Sequence, residues 1–194
     1  MADVLIVYGT SYGQTAKLAR RIADRLGQAG HRVSVWRGDA RPSEQTLEDY
    51  DAAVVAGSVR FGRHQGYVGD FVRRHLTRLN AMPSAFVSVC GVLVSGGPLG
   101  DLEARKYEQG FLARTGWHPE LARSFAGGLP YTQYGWPTRW VMRWISGRTG
   151  RPTDTSRDWE FTDWDAVDQF ADQVNRVVEA SATRGVEPSP AVAV

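Results

Sequence analysis

Continuous apolar runs alternate with amphipathic segments along most of the chain. A strand that is buried on both faces is typically an unbroken apolar run, and such runs predict strands at residues 3–8, 32–37, 52–57, 84–90 and about 121–127. Apolar residues at helical spacing predict helices at residues 14–28, 66–80, about 101–115 and 164–180. This alternation indicates an α/β fold, a doubly wound five-stranded parallel sheet in the order 2-1-3-4-5. A ligand crevice is then expected beyond the carboxyl ends of strands 1 and 3.

Residues 128–161 form a connection that is too long for a simple loop between a strand and a helix. The middle of this segment carries tryptophans at every fourth position with arginines between them: Trp136, Arg139, Trp140, Arg143 and Trp144. Because Pro137 suits a first helical turn, the spacing predicts a short amphipathic helix over residues 136–148. Such a helix can dock on an anionic membrane surface, pack its tryptophans onto the sheet, or cover them with a second subunit.

The first predicted strand is followed by a turn rich in hydroxyl groups. Residues 8–15 read Tyr-Gly-Thr-Ser-Tyr-Gly-Gln-Thr, and no basic residue follows the strand before Lys17. Free backbone N–H groups at a helix start, together with hydroxyls, can hold a phosphate without a cationic partner. The turn lacks both the lysine of a Walker loop and the glycine spacing of a dinucleotide-binding loop. It therefore predicts a permanently bound phosphate monoester, with an ordinary capped helix start as the alternative.

Two later loops lie at the same predicted edge of the sheet. Residues 58–66 follow the third strand and residues 91–98 follow the fourth. Backbone groups of both loops are expected to reach the polar edge of a planar ligand bound there. Phe61 is placed either to cover one face of that ligand or to fold back onto the core.

The composition is that of a globular protein rather than a disordered or membrane-spanning one. The chain has 194 residues, of which 42% are hydrophobic, and a net charge of +2. We expect one domain over residues 1–181, with an insertion at about 128–161, followed by a disordered tail at 182–194. The arginines are spread along the chain, which argues against a nucleic-acid partner. Cys90 is the only cysteine, and neither a secretory signal nor a membrane-spanning run is present, so we expect a cytoplasmic protein.

Several blocks of the sequence resemble a known family. The blocks are residues 13–15 (Gly-Gln-Thr), 58–62 (Ser-Val-Arg-Phe-Gly), 75–86 (His-Leu-Thr-Arg-Leu-Asn-Ala-Met-Pro-Ser-Ala-Phe), 153–155 (Thr-Asp-Thr) and 162–164 (Thr-Asp-Trp). Over about residues 2–180 the chain is similar to the menaquinone-dependent protoporphyrinogen IX dehydrogenases, flavodoxin-like flavoenzymes of bacterial haem synthesis. The block at 75–86 is too long to match by chance, whereas the pattern Thr-x-x-Gly-x-Thr alone would identify only FMN binding.

The resemblance implies an FMN cofactor, no metal, and an enzyme that passes electrons from protoporphyrinogen IX through FMN to menaquinone. It places the protein peripherally on the inner face of the cell membrane, and it names no acid–base residue. The residues it implies at the cofactor are Thr10, Ser11, Tyr12, Gly13, Gln14, Thr15, Ser58, Val59, Arg60, Phe61, Gly62, Ser88, Val89, Cys90 and Gly91. We expect contacts with substrate or membrane from Arg63, His64, Tyr131, Trp136, Arg139, Trp140, Arg143 and Trp144. Arg60, together with Arg63 and His64, is a candidate for the porphyrin propionates or the charge of the reduced flavin.

Two other functions stay open at the level of the sequence. Residues 91–103 contain no basic residue, whereas the matching stretch of the family is basic, which allows a different reduced aromatic substrate, for example in secondary metabolism. A flavodoxin-type electron carrier is the second alternative. Such carriers are usually strongly acidic, because charge steers them to basic redox partners, and the net charge of +2 argues against this function. A homodimer would be one way to cover the tryptophans.

Overall fold

The central feature of the fold is a parallel sheet. The computed structural model describes residues 1–40, 46–148 and 152–184, and the first six strands are β1 (Asp3–Gly9), β2 (Arg32–Arg37), β3 (Ala52–Arg60), β4 (Arg63–His64), β5 (Ser84–Cys90) and β6 (Leu121–Ala126). Five of them are parallel in the order β2-β1-β3-β5-β6, and β4 pairs antiparallel with the end of β3. The predicted order 2-1-3-4-5 is confirmed, because β4 lies outside the main path.

In the described part of the chain, six α-helices connect and cover the strands. They are α1 (Gln14–Gln28), α2 (Gly66–Arg74), α3 (Leu76–Ala81), α4 (Gly97–Thr115), α5 (Trp136–Arg148) and α6 (Trp164–Arg184). The single helix predicted at 66–80 is wrong, since non-helical backbone at His75 divides it into α2 and α3. The tail predicted from residue 182 is wrong for residues 182–184, which belong to α6, and residues 185–194 lie outside the described residues.

The helices cover both faces of the sheet, which explains the unbroken apolar runs. Side chains of a strand point alternately to opposite faces. Val4 and Ile6 of β1 accordingly pack against α1 and α6, whereas Leu5 and Val7 pack against α2, α3 and α4. All four side chains are buried. The carboxyl ends of β1, β3, β5 and β6 are left to form one open edge.

The end of β3 continues into a hairpin that the sequence pattern did not predict. The strand extends three residues beyond its predicted end at Gly57, and Val59 pairs with His64 across the hairpin. The turn between β3 and β4 places both Phe61 (φ 50°) and Gly62 (φ 76°) in the left-handed region. Tight hairpin turns use this conformation, which strains a residue such as phenylalanine.

The insertion folds into a small unit beside the open edge. Two short antiparallel strands, β7 (Gly128–Leu129) and β8 (Trp159–Glu160), lie at its two ends, and α5 lies between them as the tryptophan spacing predicts. Leu129, Tyr131 and Tyr134 form the buried centre of this unit. Among the described residues, no helix is long and apolar enough to cross a membrane.

Candidate functional site

A cavity of about 490 Å³ opens at the carboxyl edge of the sheet. Its walls come from the turn after β1, the end of β3 with its hairpin, the end of β5, and the insertion. Most of the residues predicted at the cofactor line this cavity: Thr10, Ser11, Tyr12, Gln14, Thr15, Ser58, Val59, Arg60, Phe61, Val89, Cys90 and Gly91. Gly13, Gly62 and Ser88 lie in the same segments but do not line it. The crevice expected at this edge is therefore present.

The turn after β1 and the start of α1 carry polar groups that have no partner among the described residues. Gly13 precedes α1 with a φ of 87°, and no side chain caps the helix. The backbone N–H of Gly13 donates to Thr10 Oγ1 at 2.9 Å, while the buried Oγ1 of Thr15 has no hydrogen-bond partner in the part of the chain that the structure describes. The N–H groups of a first helical turn also lack intrahelical partners. These groups fit a phosphate, and the alternative of an ordinary side-chain-capped helix start is not what forms.

Side chains at the start of α2 hold this turn against the end of β3. The amide of Gln65 donates to Ser11 Oγ at 3.2 Å and to Ser58 Oγ, and its carbonyl accepts from the Ser58 N–H at 3.1 Å. The hydroxyl of Tyr67 accepts from the Thr10 N–H at 3.2 Å. Gln65 and Tyr67 thus position two of the cavity walls, although neither lines the cavity. Gln65 lies in the loop at residues 58–66 that was expected at this edge, whereas no sequence signal marked Tyr67.

An arginine lies between two aromatic rings at the mouth of the cavity. The Arg60 guanidinium is 5.6 Å from the centroid of the Tyr12 ring and 5.1 Å from that of Phe61. Both distances are typical of cation–π contacts. Phe61 is 89% exposed, which excludes the alternative that it folds back onto the core. The hairpin therefore presents a free aromatic ring and a positive charge to whatever occupies the cavity.

The end of β5 contributes neutral groups. Burial raises the pKa of Cys90 to about 11, so the thiol stays protonated near neutral pH. Ser88 points away from the cavity and lies 3.0 Å from Nε2 of His64. This wall therefore offers no ionised side chain to a bound ligand.

The insertion forms the wall that faces these loops. Tyr134 packs edge-to-face on Tyr12 with a centroid distance of 5.1 Å, and burial raises the pKa of Tyr134 to about 12. Residues of α5 and of the returning chain, which is the segment from Asp158 through β8 to Thr162, complete the wall. With Gln133 and Tyr134, the lining residues on this side include Thr138, Met142, Asp158, Trp159 and Glu160. The cavity is thus shared between the doubly wound sheet and the insertion.

Charged groups line both sides of the cavity, with Lys17 and Arg60 on the sheet side and Asp158 and Glu160 on the insertion side. Burial raises the pKa of Asp158, but hydrogen bonds from the N–H and hydroxyl of Thr132 outweigh this effect and lower the pKa overall. Burial likewise raises the pKa of Glu160, and hydrogen bonds from Lys17 and Trp164 lower it overall. Both carboxylates are therefore ionised near neutral pH. Among the described residues, no cluster of side chains is suited to a metal ion.

Comparison with known proteins agrees with this geometry. A family described as "Flavodoxin domain" matches residues 5–156. The chain belongs to this family. Protoporphyrinogen IX dehydrogenase (quinone) from Escherichia coli strain K12 is 34% identical to the chain over 176 residues, which cover 90% of the chain and 96% of that relative. The protein of the same name from Leishmania major is 32% identical over 181 residues, covering 86% of the chain and 72% of the relative.

Solved structures show the same fold at low sequence identity. Oxidised flavodoxin 1 from Bacillus cereus superposes with a TM-score of 0.53 at 15% identity, covering 90% of the chain and 97% of that structure. An archaeal flavodoxin superposes with a TM-score of 0.50 at 14% identity, covering 91% of the chain and 99% of that structure. The predicted flavodoxin-like fold, the FMN cofactor and the resemblance to the dehydrogenase family are confirmed.

The residues of this flavodoxin domain that we expected at substrate or membrane do not line the cavity. His64 is buried between Phe86 and Phe111, and burial with the nearby Arg114 lowers its pKa to about 4. The expectation that His64 meets an anionic group at the crevice is therefore wrong, because a buried neutral imidazole cannot supply a charge. Arg63 is exposed on β4, outside the cavity lining.

The aromatic and arginine residues of the insertion have divided roles. Tyr131 is fully buried and its hydroxyl donates to the Pro152 carbonyl at 2.7 Å, so it builds the insertion and is not free to meet substrate. Arg139 donates to the carbonyl of Tyr134 at 3.2 Å. The remaining members of the predicted set are exposed on α5, and they are Trp136, Trp140, Arg143 and Trp144.

The sequence pattern missed the insertion side of the cavity and Lys17. A signal was nevertheless present in α5, since Thr138 and Met142 are also four residues apart and lie on a different face from the tryptophans. The two faces of α5 therefore have different roles, since one lines the cavity and the other exposes the tryptophans. For Asp158, Trp159 and Glu160 there was no such signal, because only the pairing of β7 with β8 brings them to the cavity.

Proposed function

We propose that this protein is an FMN-dependent dehydrogenase that oxidises protoporphyrinogen IX and delivers the electrons to a quinone. The observation that carries the proposal is the shared cavity, in which a phosphate-binding turn of the flavodoxin domain faces a wall built by the insertion. The relatives of that name match over 90% and 86% of the chain, so their similarity includes the insertion. An electron carrier needs no such second wall.

The phosphate end of the cavity binds FMN through neutral groups. Thr10, Ser11 and Thr15 supply hydroxyls, and the first turn of α1 supplies backbone N–H groups. The ends of β3 and β5 would hold the ring, since Val59 and Val89 offer apolar surface there. When bound, FMN supplies the redox chemistry, accepting two electrons at a time and releasing them to the quinone.

The insertion side binds the substrate and keeps water out. Conversion of the porphyrinogen to the porphyrin removes six electrons and six protons in three rounds, and each round reduces one quinone to a quinol. Tyr134, Met142 and Trp159 provide a largely apolar wall for the tetrapyrrole. Arg60 lies at the mouth between Tyr12 and Phe61, where its charge is available to a propionate.

The exposed face of α5 docks the protein on the membrane that holds the quinone. Trp136, Trp140 and Trp144 are 78%, 70% and 58% exposed, and Val141 beside them is also exposed. The sequence of α5 contains three arginines and no acidic residue, which favours anionic lipid. Trp140→Glu is expected to release the protein from anionic vesicles with unchanged FMN content. Retention of the variant on vesicles would contradict docking through this face. A wild-type dimer that Trp140→Glu dissociates would replace lipid with a second copy of the chain.

Anaerobic mixing with protoporphyrinogen IX tests the substrate. We expect rapid bleaching of the oxidised-flavin absorbance of the FMN-loaded protein, and return of the colour on addition of a menaquinone analogue. Stable FMN without bleaching would exclude this substrate and leave another reduced aromatic compound, or electron transfer between proteins, as the function.

A further inference from the structure

One cation lies beside the phosphate-binding turn, but it already has an anionic partner. Lys17 lines the cavity together with Gln14 and Thr15. Its Nζ is 2.6 Å from Oε2 of Glu160, a residue of the insertion that also lines the cavity. The positive charge that would normally be expected to hold a phosphate is therefore paired with a carboxylate.

Glu160 is fixed where it is by contacts other than Lys17. The indole Nε1 of Trp164 donates to Glu160 Oε1 at 2.8 Å, and the backbone of Glu160 pairs with Gly128 in the small sheet. Two residues further on, Thr162 Oγ1 accepts from the side-chain amide of Gln14 at 2.8 Å. The returning chain of the insertion is thus attached to the phosphate-binding turn at two points.

This arrangement has an electrostatic consequence for a phosphate in the turn. A charge-assisted hydrogen bond is stronger than one from a neutral donor, so a free Lys17 would strengthen phosphate binding. Paired with Glu160, Lys17 contributes little net charge. If Lys17 were absent, the Glu160 carboxylate would instead repel the phosphate.

We propose that Glu160 withholds Lys17 from the FMN phosphate, so that the insertion lowers the affinity of this protein for its cofactor and makes the affinity depend little on salt. The inference rests on FMN as the ligand of the proposed function. It makes Glu160 a residue that sets cofactor affinity without touching the flavin ring.

Binding of FMN and riboflavin to the ligand-free protein tests this inference, with flavin fluorescence as the readout. Glu160→Gln keeps the acceptor for Trp164 and removes the charge that holds Lys17. It is expected to tighten FMN binding by about tenfold and to make it weaken with added salt. Riboflavin, which has no phosphate, is expected to bind as it does to the wild type.

Two further variants, Lys17→Met and its combination with Glu160→Gln, complete a double-mutant cycle. Lys17→Met leaves the carboxylate unpaired and is expected to weaken FMN binding by about tenfold while riboflavin binding stays unchanged. The double variant is expected to return FMN affinity to within about threefold of the wild type. Asp70→Asn is the matched control, since it breaks the surface pair of Asp70 with Arg73, which is also 2.6 Å long and whose residues do not line the cavity.

Glu160→Gln tightens FMN binding if Glu160 withholds Lys17 from the phosphate, and weakens it if Glu160 orients Lys17 toward the phosphate. Unchanged or weaker FMN binding with normal riboflavin binding would overturn the proposal, since Glu160 would then be inert or would orient Lys17 toward the phosphate. If Glu160→Gln weakens both ligands through loss of β8, the Lys17→Met variant decides, and unchanged FMN affinity there overturns the proposal. None of these readouts depends on substrate turnover, so a failure of this inference can be distinguished from a failure of the proposed function.

Discussion

The doubly wound sheet and the insertion contribute to one cavity but are built by different rules. The sheet buries both faces of its strands under helices, and the chain at the ends of β1, β3, β5 and β6 contributes to the cavity. The insertion has a small buried centre at Leu129, Tyr131 and Tyr134, and two-residue strands hold its ends together. We propose that the sheet provides most of the stability and the cofactor end, whereas the insertion provides the substrate end.

Overpacking the sheet is expected to have the largest effect. A Cβ atom on Gly9, at the end of β1, would lie 2.3 Å from Cγ2 of Val68. Gly9→Ala is therefore expected to lower the free energy of unfolding by about 3 kcal/mol, measured by urea denaturation. Gly27→Ala in α1, where a Cβ meets nothing within 4 Å, is the control and is expected to be neutral or stabilising. Equal effects of the two changes would contradict tight packing at Gly9.

A buried histidine in the sheet predicts how stability depends on pH. The pKa of His64 is lowered to about 4, below its value of about 6.5 in an unfolded chain, so the unfolded state binds the extra proton. Stability is therefore present above pH 6.5 and is lost as the pH falls toward 4. The loss between pH 7 and pH 5 is expected to be about 2 kcal/mol. His64→Gln should remove this part of the pH dependence, and an unchanged slope would show that other groups cause it.

The corresponding change in the insertion is expected to act locally. A Cβ atom on Gly128 would lie 2.8 Å from the Trp159 carbonyl oxygen and would push β7 away from β8. Gly128→Ala is expected to cost about 1 kcal/mol of global stability, and to speed proteolysis within residues 130–158. A loss of stability as large as that of Gly9→Ala would show that the two regions unfold as one unit and would remove the distinction drawn above.

The smallest expected effect on stability comes from a substitution at the phosphate-binding turn. Thr15→Val removes the buried hydroxyl that lacks a partner and keeps the shape of the side chain. The ligand-free protein is expected to become more stable by about 1 kcal/mol, and FMN affinity is expected to fall by about tenfold. In the control Thr115→Val, a hydroxyl that donates to the Phe111 carbonyl is lost, which should lower stability without changing FMN binding. Unchanged FMN affinity of Thr15→Val would exclude this hydroxyl from the phosphate site.

The two regions also differ in how far the sequence predicts them. Periodicity identified the strands and most helices because burial on both faces of a sheet leaves an unmistakable pattern in residues such as those of β1. The turn at residues 10–15 was identified because its chemistry is local. By contrast, Asp158 and Glu160 reach the cavity through pairing of β8 with β7, which is about 30 residues away along the chain. His64 was misplaced for a different reason, since it lies in a local hairpin that the apolar pattern did not predict, and this hairpin turns its ring onto Phe86 and Phe111.

The insertion is proposed to supply the substrate end of a cavity whose cofactor end belongs to the sheet, and one kinetic comparison tests this claim. Thr138 lies in α5 and lines the cavity, so Thr138→Trp fills the insertion side with a large side chain. The measurement is the rate of anaerobic flavin bleaching by protoporphyrinogen IX in FMN-loaded wild type and variant. We expect full FMN content in both proteins, and bleaching of the variant slowed by at least about tenfold. Equal rates at full FMN content would contradict the claim.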